Sequence, residues 1–109
     1  MRVGIIDYGA GNLMSVSKAV GLFADDPVIV RRPEDALTVD RLILPGVGAA
    51  GRAMEQLRAD HLDEALEEAV RKRGRPLLGI CLGMQLLATR LEEFGVHEGL
   101  GWIRGDVVR

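Results

Sequence analysis

The stretch PLLGICLGMQLLA, Pro76–Ala88, holds the only cysteine of the chain, Cys81, between Gly79 and Gly83. One apolar run, Leu77–Ile80, stops at this residue and a second starts just after it. The first has the length of a buried strand, and the spacing of the second predicts a helix over Leu82–Leu91. Gly79-Ile80-Cys81-Leu82-Gly83 is then the pattern of a nucleophile elbow, with sulfur in place of the usual oxygen. Such a turn brings the residues two before and two after the nucleophile together, so both must be small. It sets Cys81 at a helix N-terminus, where backbone N–H groups and the helix dipole favour the reactive thiolate. The N–H of Leu82 is placed to bind an oxyanion. Gln85, the only polar residue from Leu82 to Ala88, falls one turn further on the same helical face. Its amide needs partners, which a substrate can supply. The competing reading is structural: free cysteine is among the most buried residue types, and at a strand end it is commonly core.

Working outward, the same alternation recurs. Arg2–Tyr8 (RVGIIDY) reads as a buried strand, followed by a turn at Gly9, Gly11 and Asn12. Leu13, Val16, Val20 and Phe23 then fall at helical spacing. Val28–Val30 and Arg41–Leu44 are two further short strands, the second ending at Pro45-Gly46-Val47-Gly48. Glycines at that strand end let backbone N–H groups turn toward a bound group, although a plain strand-to-helix turn needs them equally. Ala50, Ala53, Met54 and Leu57 predict a helix. Leu62, Ala65, Leu66, Ala69 and Val70 predict another, with Glu67–Arg71 and Glu68–Lys72 as i, i+4 pairs on its polar side. The tail, Glu98–Arg109, is glycine-rich and ends on a strand-like Val107-Val108.

Strands alternating with helices specify a mostly parallel sheet covered on both faces, an α/β flavodoxin-like three-layer sandwich. In such sheets ligands bind where strands end and helices begin, so the turns at Gly46 and Cys81 are expected to face each other. A parallel sheet with an unfinished edge is a poor place to end a domain. Residues 1–109 are therefore expected to form the N-terminal part of a larger domain, incomplete on its C-terminal side.

Composition excludes several classes. The chain has 109 residues, 28% of them charged, with a net charge of −2, which gives no basis for a nucleic-acid or acidic-membrane partner. The basic run Arg71–Arg75 (RKRGR) sits at a helix C-terminus, where cations complement the dipole. A single cysteine cannot form an intrachain disulfide, and no apolar run approaches the ~20 residues of a membrane span. A cytoplasmic protein with no cofactor and no metal is expected.

The motifs also carry a resemblance. GICLGMQLL, residues 79–87, resembles the nucleophile segment of class I, triad-type glutamine amidotransferases. DYGAGNLMSVSKA (Asp7–Ala19), LPGVGAAGRAM (Leu44–Met54) and EGLGWIRGDVVR (Glu98–Arg109) are similar to the glutaminase-subunit family of imidazole glycerol phosphate synthases. The resemblance runs the length of the chain in order. It implies hydrolysis of glutamine to glutamate and ammonia, with ammonia passed to a (β/α)₈-barrel cyclase partner in histidine biosynthesis. It implies that Cys81 is the nucleophile that forms a glutamyl thioester. It places Val47, Gly48 and Leu82 at the oxyanion region, with Gly46 among the substrate-binding residues, Gln85 at a glutamine-binding position, and Asn12 near the cyclase interface.

One departure stands out. The class completes its triad with a downstream histidine and glutamate two residues apart. The histidines here are His61 and His97. The first opens a helix at a solvated position. The second, followed directly by Glu98, has the wrong spacing and is expected in a loop after the nucleophile helix. The chain alone is thus expected to have little or no activity. Two other readings stay open: a non-catalytic module docking on the cyclase, and a thiol-reactive redox or stress protein on a flavodoxin-like sheet. Neither accounts for DYGAGNL.

Overall fold

A computed structural model of the chain describes residues 1–109 except 10–12, 24–25, 47, 93–95 and 108–109. Asn12 and Val47 therefore lie outside the described residues.

The first strand, β1 (Arg2–Ile6), buries Val3 to Ile6 without a break. Continuous burial belongs to a strand covered on both faces. Two strands run parallel to it, β2 (Asp26–Val30) on one side and β3 (Arg41–Leu44) on the other. A fourth, β4 (Leu77–Gly79), pairs with β3, and the sheet order is β2-β1-β3-β4. Ile5 stands opposite Ile29 and Ile43, and Ile43 opposite Leu78.

Helix α1 (Leu13–Leu22) connects β1 to β2, and α2 (Pro33–Ala36) precedes β3. Helices α3 (Ala50–Ala59) and α4 (Leu62–Leu66) connect β3 to β4, with α4 running on through a π-helical turn over Glu67–Lys72. The step from β1 to β2 and the step from β3 to β4 go in opposite directions across the sheet. Right-handed crossovers then place their helices on opposite faces. The packing agrees. Leu13, Val16 and Val20 of α1 lie against Val3, Ile5 and Ile43. Leu57, Leu62 and Leu66 lie with Ile6, Val30, Leu42 and Leu44 on the other face. This is the flavodoxin-like α/β sandwich that the sequence pattern specifies.

The surface pairs Glu67–Arg71 and Glu68–Lys72 form, at 3.8 and 3.7 Å. Exposed pairs of this kind contribute little. Phe23, expected on the apolar face of the first helix, is 79% exposed and follows the helix end at Leu22.

The helix expected over Leu82–Leu91 is a single turn, α5 (Leu82–Gln85). The chain then enters a second sheet in which β5 (Ala88–Glu92) pairs antiparallel with β6 (Val96–Glu98) and parallel with β7 (Ile103–Val107). The cause is visible in the backbone. The carbonyls of Leu86, Leu87 and Ala88 accept from Leu100, Ile103 and Gly101 at 2.7, 2.9 and 3.1 Å, so they are not available to a continuing helix. His97, expected in a loop, has its backbone in β6 opposite Leu91. The strand-like tail begins earlier than Val107, at Ile103.

Candidate active site

Strands β1, β3 and β4 all end at one edge of the parallel sheet, and the chemistry-bearing residues lie just past those ends. The tight elbow is real. Cys81 has φ 53° and ψ −120°, a conformation that costs a side-chain-bearing residue of order 1–3 kcal/mol. Three backbone hydrogen bonds hold it. Ile80 N–H donates to Leu44 O at 3.0 Å, Leu82 N–H to Gly46 O at 3.1 Å, and Gly83 N–H to Ile80 O at 2.9 Å. The first two tie both sides of Cys81 to the end of β3.

The flanking glycines are required by close approach. A Cβ on Gly79 would lie 2.8 Å from Met84 Cα, and one on Gly83 would lie 1.8 Å from Leu44 O. Cys81 itself is exposed, so the buried-core reading of this thiol fails. A strained, solvent-facing thiol at the C-terminal edge of a parallel sheet has the exposure and the position that nucleophilic attack requires.

The two glycine turns expected to face each other are in contact. A Cβ on Gly46 would come 3.1 Å from Leu82 Cβ and 3.2 Å from Gly83 N. Gly46 is buried, whereas Gly48 is exposed with φ 106°. Their contact differs in kind from the expected one. Leu82 N–H is not open toward an incoming oxyanion, because Gly46 O accepts it. With Gly83 N–H also engaged and α5 only one turn long, the helix N-terminus expected to favour a thiolate has little dipole to offer. Gln85 is half-buried one turn after Cys81, its N–H 3.4 Å from Cys81 O, and its side-chain amide has no hydrogen bond among the described residues.

Tyr8 was not singled out by its sequence. It follows β1, is 2% exposed, and its hydroxyl donates to Pro45 O. A Cβ on Gly46 would collide with that hydroxyl at 2.3 Å. Burial pushes the Tyr8 hydroxyl up to about 12. Tyr8 thus pins the start of the Pro45–Gly48 turn, and through Gly46 O the elbow. The available signal was its place: the only tyrosine, at the end of the first strand. Beside it, Asp7 accepts from Arg31 Nε at 2.7 Å.

His61 is exposed, as expected, with Nδ1 3.5 Å from Glu64 Oε2. Among the described residues no group of three or more His, Cys, Asp or Glu could hold a metal ion. No helix among them is long and apolar enough to cross a membrane.

Comparison with known proteins bears on the fold and the family. A crystal structure of a glutamine amidotransferase superposes with a TM-score of 0.79 at 21% identity, covering 95% of this chain and 54% of that one. A peptidase E-type protein of Listeria monocytogenes gives 0.75 at 12% identity, covering 94% and 62%. At these identities the likeness concerns the fold. In sequence, the chain is 53% identical to the imidazole glycerol phosphate synthase subunit HisH of Zymomonas mobilis, over 96% of its own length and 51% of the relative's. It is 50% identical to the subunit of the same name from Helicobacter hepaticus, over 99% and 54%. The chain spans about half the length of the curated relatives it matches. Residues 23–109 match the model of the CobB/CobQ-like glutamine amidotransferase domain, elbow and Pro45–Gly48 turn included, and the chain belongs to that family.

Proposed function

We propose that this chain carries the nucleophile of a glutaminase that serves imidazole glycerol phosphate synthesis. The observation that carries the reading is the backbone of Cys81, held at φ 53° with its side chain exposed in a chain of amidotransferase sequence. The Cys81 sulfur attacks the side-chain amide carbon of glutamine, ammonia leaves, and water then releases glutamate from the thioester. Gln85 binds the glutamine. The Pro45–Gly48 turn and Leu82 N–H supply the oxyanion donors once the hydrogen bond to Gly46 O is given up. Asn12 meets a (β/α)₈-barrel cyclase that receives the ammonia in the cytoplasm. The similarity to HisH subunits supports this assignment of substrate and partner.

The thiol's proton must be accepted and the ammonia leaving group protonated, steps for which general acid–base help is worth about 10²–10⁴-fold. His61 is committed to the solvated face of α4, beside Glu64. Glutamate release from glutamine is the test, measured on the 109-residue chain alone and with the barrel cyclase, with Cys81→Ala as blank. The chain alone is expected to match its blank. Turnover that survives Cys81→Ala would overturn the assignment of the nucleophile. Turnover by the chain alone that is lost in Cys81→Ala would show that a base is already present.

A further inference from the structure

The helix that starts after Cys81 is one turn long, so it cannot fix its own direction. A single turn makes too few hydrogen bonds to offset the ordering of its residues. Its orientation is imposed from both ends. On the Cys81 side the partners are Leu44 O and Gly46 O, at the end of β3. On the far side are the carbonyls of Leu86, Leu87 and Ala88, groups that a helix end leaves without partners. They accept from Leu100, Ile103 and Gly101. Gly99 lies against the same carbonyls, since a Cβ there would come 2.1 Å from Ala88 O and 2.9 Å from Leu86 O. Gln85 sits between the two attachments, half-buried.

The segment Glu98–Ile103 must itself be held, and two side chains hold it from the helical layer. Arg58 of α3 donates from Nη2 to Glu98 O at 3.0 Å, in an exposed contact. Trp102, the only tryptophan of the chain, donates from Nε1 to Glu67 Oε2 at 3.2 Å, in a partly buried one. Partial burial and a carboxylate acceptor make the second bond the stronger. The Trp102 and Leu100 side chains also pack against the main core. Glu67 opens the π-helical turn Glu67–Lys72, a kind of turn found often near functional sites.

We propose that Trp102 and Glu67 are positioning residues for the glutamine site. Their hydrogen bond fixes the segment Glu98–Ile103, and that segment fixes the end of α5 and with it Gln85. The inference rests on the glutaminase reading and on the binding role of Gln85 within it. The strain at Cys81 is held separately, by β3, so breaking the Trp102–Glu67 bond weakens glutamine binding and leaves the reactivity of the thiol alone.

The test compares two reagents on Cys81 of the 109-residue chain: iodoacetamide, which needs only the thiol, and the diazoketone analogue of glutamine, which needs the binding site. Trp102→Phe keeps an aromatic ring and loses the donor; Glu67→Leu loses the acceptor. Each variant is expected to raise the half-saturating concentration of the analogue about fivefold, the worth of one hydrogen bond. The limiting rate of capture and the iodoacetamide rate should stay at parent values. Glu67→Gln, which keeps an oxygen acceptor, should restore the parent concentration. The double variant should be no weaker than the weaker single one, because one bond is lost in each. Parent-like saturation in both single variants would overturn the proposal. So would a parallel fall in the iodoacetamide rate, because the bond would then support the elbow and not Gln85. If the parent chain reacts with iodoacetamide but is not captured by the analogue, the glutaminase reading fails and this proposal falls with it.

Discussion

Replacing Gly83 by alanine should damage this fold more than its size suggests. The added methyl would sit 1.8 Å from Leu44 O and 2.7 Å from Leu44 C. Both are backbone atoms at the end of β3, so no side chain can rotate away. The elbow and β3 must separate by more than 1 Å to reach ordinary contact. Overpacking of this kind costs about 1–3 kcal/mol. Leu44 O also accepts the Ile80 N–H at 3.0 Å, and losing that bond adds roughly 0.5–1.5 kcal/mol. The sum, about 1.5–4.5 kcal/mol, is a large part of the 5–15 kcal/mol typical of a domain. For a chain of this length it corresponds to a fall in melting temperature of roughly 6–36 °C. Gly74→Ala is the control. Gly74 has φ 72° but nothing within 4 Å of the added methyl, so only the left-handed backbone penalty of about 1–2 kcal/mol applies. Thermal melts followed by circular dichroism would decide. If Gly83→Ala melts as high as Gly74→Ala or higher, the close approach of elbow and β3 does not exist and the reasoning fails.

Other predictions follow from the same geometry. Cys81→Gly should raise the melting temperature, because relief of 1–3 kcal/mol of backbone strain exceeds the 0.5–1 kcal/mol entropy penalty of glycine, whereas Cys81→Ala keeps the strain and should not. The Tyr8 hydroxyl titrates near 12 in the folded chain against 10 unfolded, so the unfolded state releases its proton first as pH rises. Stability should therefore fall between pH 10 and 12 by up to about 2–3 kcal/mol, and urea melts at the two ends of that window should show the loss in the parent chain and not in Tyr8→Phe. At neutral pH, Tyr8→Phe leaves Pro45 O without its donor and should cost about 1–3 kcal/mol in the same melts. Leu57→Ala, at a fully buried position, should cost about 2–5 kcal/mol, while Arg71→Ala removes only an exposed pair and should change stability by less than about 0.5 kcal/mol.

What could be read from the chain depended on how local its cause was. The four parallel strands announce themselves as short apolar runs, and the elbow as two glycines bracketing Cys81. Each of these signals is contained within a few residues. The helix expected over Leu82–Leu91 failed because the deciding partners are remote: residues 100–103 take the carbonyls of Leu86, Leu87 and Ala88. Leucines at helical spacing cannot outweigh that, since tertiary hydrogen bonding overrides a weak local preference. Gly99 marks where the two segments meet, since a Cβ there would lie 2.1 Å from Ala88 O. The same limit applied at the site. That Cys81 is lifted above the sheet was legible. That Leu82 N–H is bound to Gly46 O, and that Tyr8 holds the neighbouring carbonyl, depends on contacts 36 and 37 residues apart in sequence.

The most direct test of the central claim is covalent capture of Cys81 by the diazoketone analogue of glutamine, read by mass spectrometry of the intact chain and its peptides. The account predicts one adduct, on Cys81, slowed by added glutamine and absent from Cys81→Ala. If iodoacetamide modifies Cys81 while the glutamine analogue does not, or if glutamine gives no protection, this thiol is not a glutaminase nucleophile.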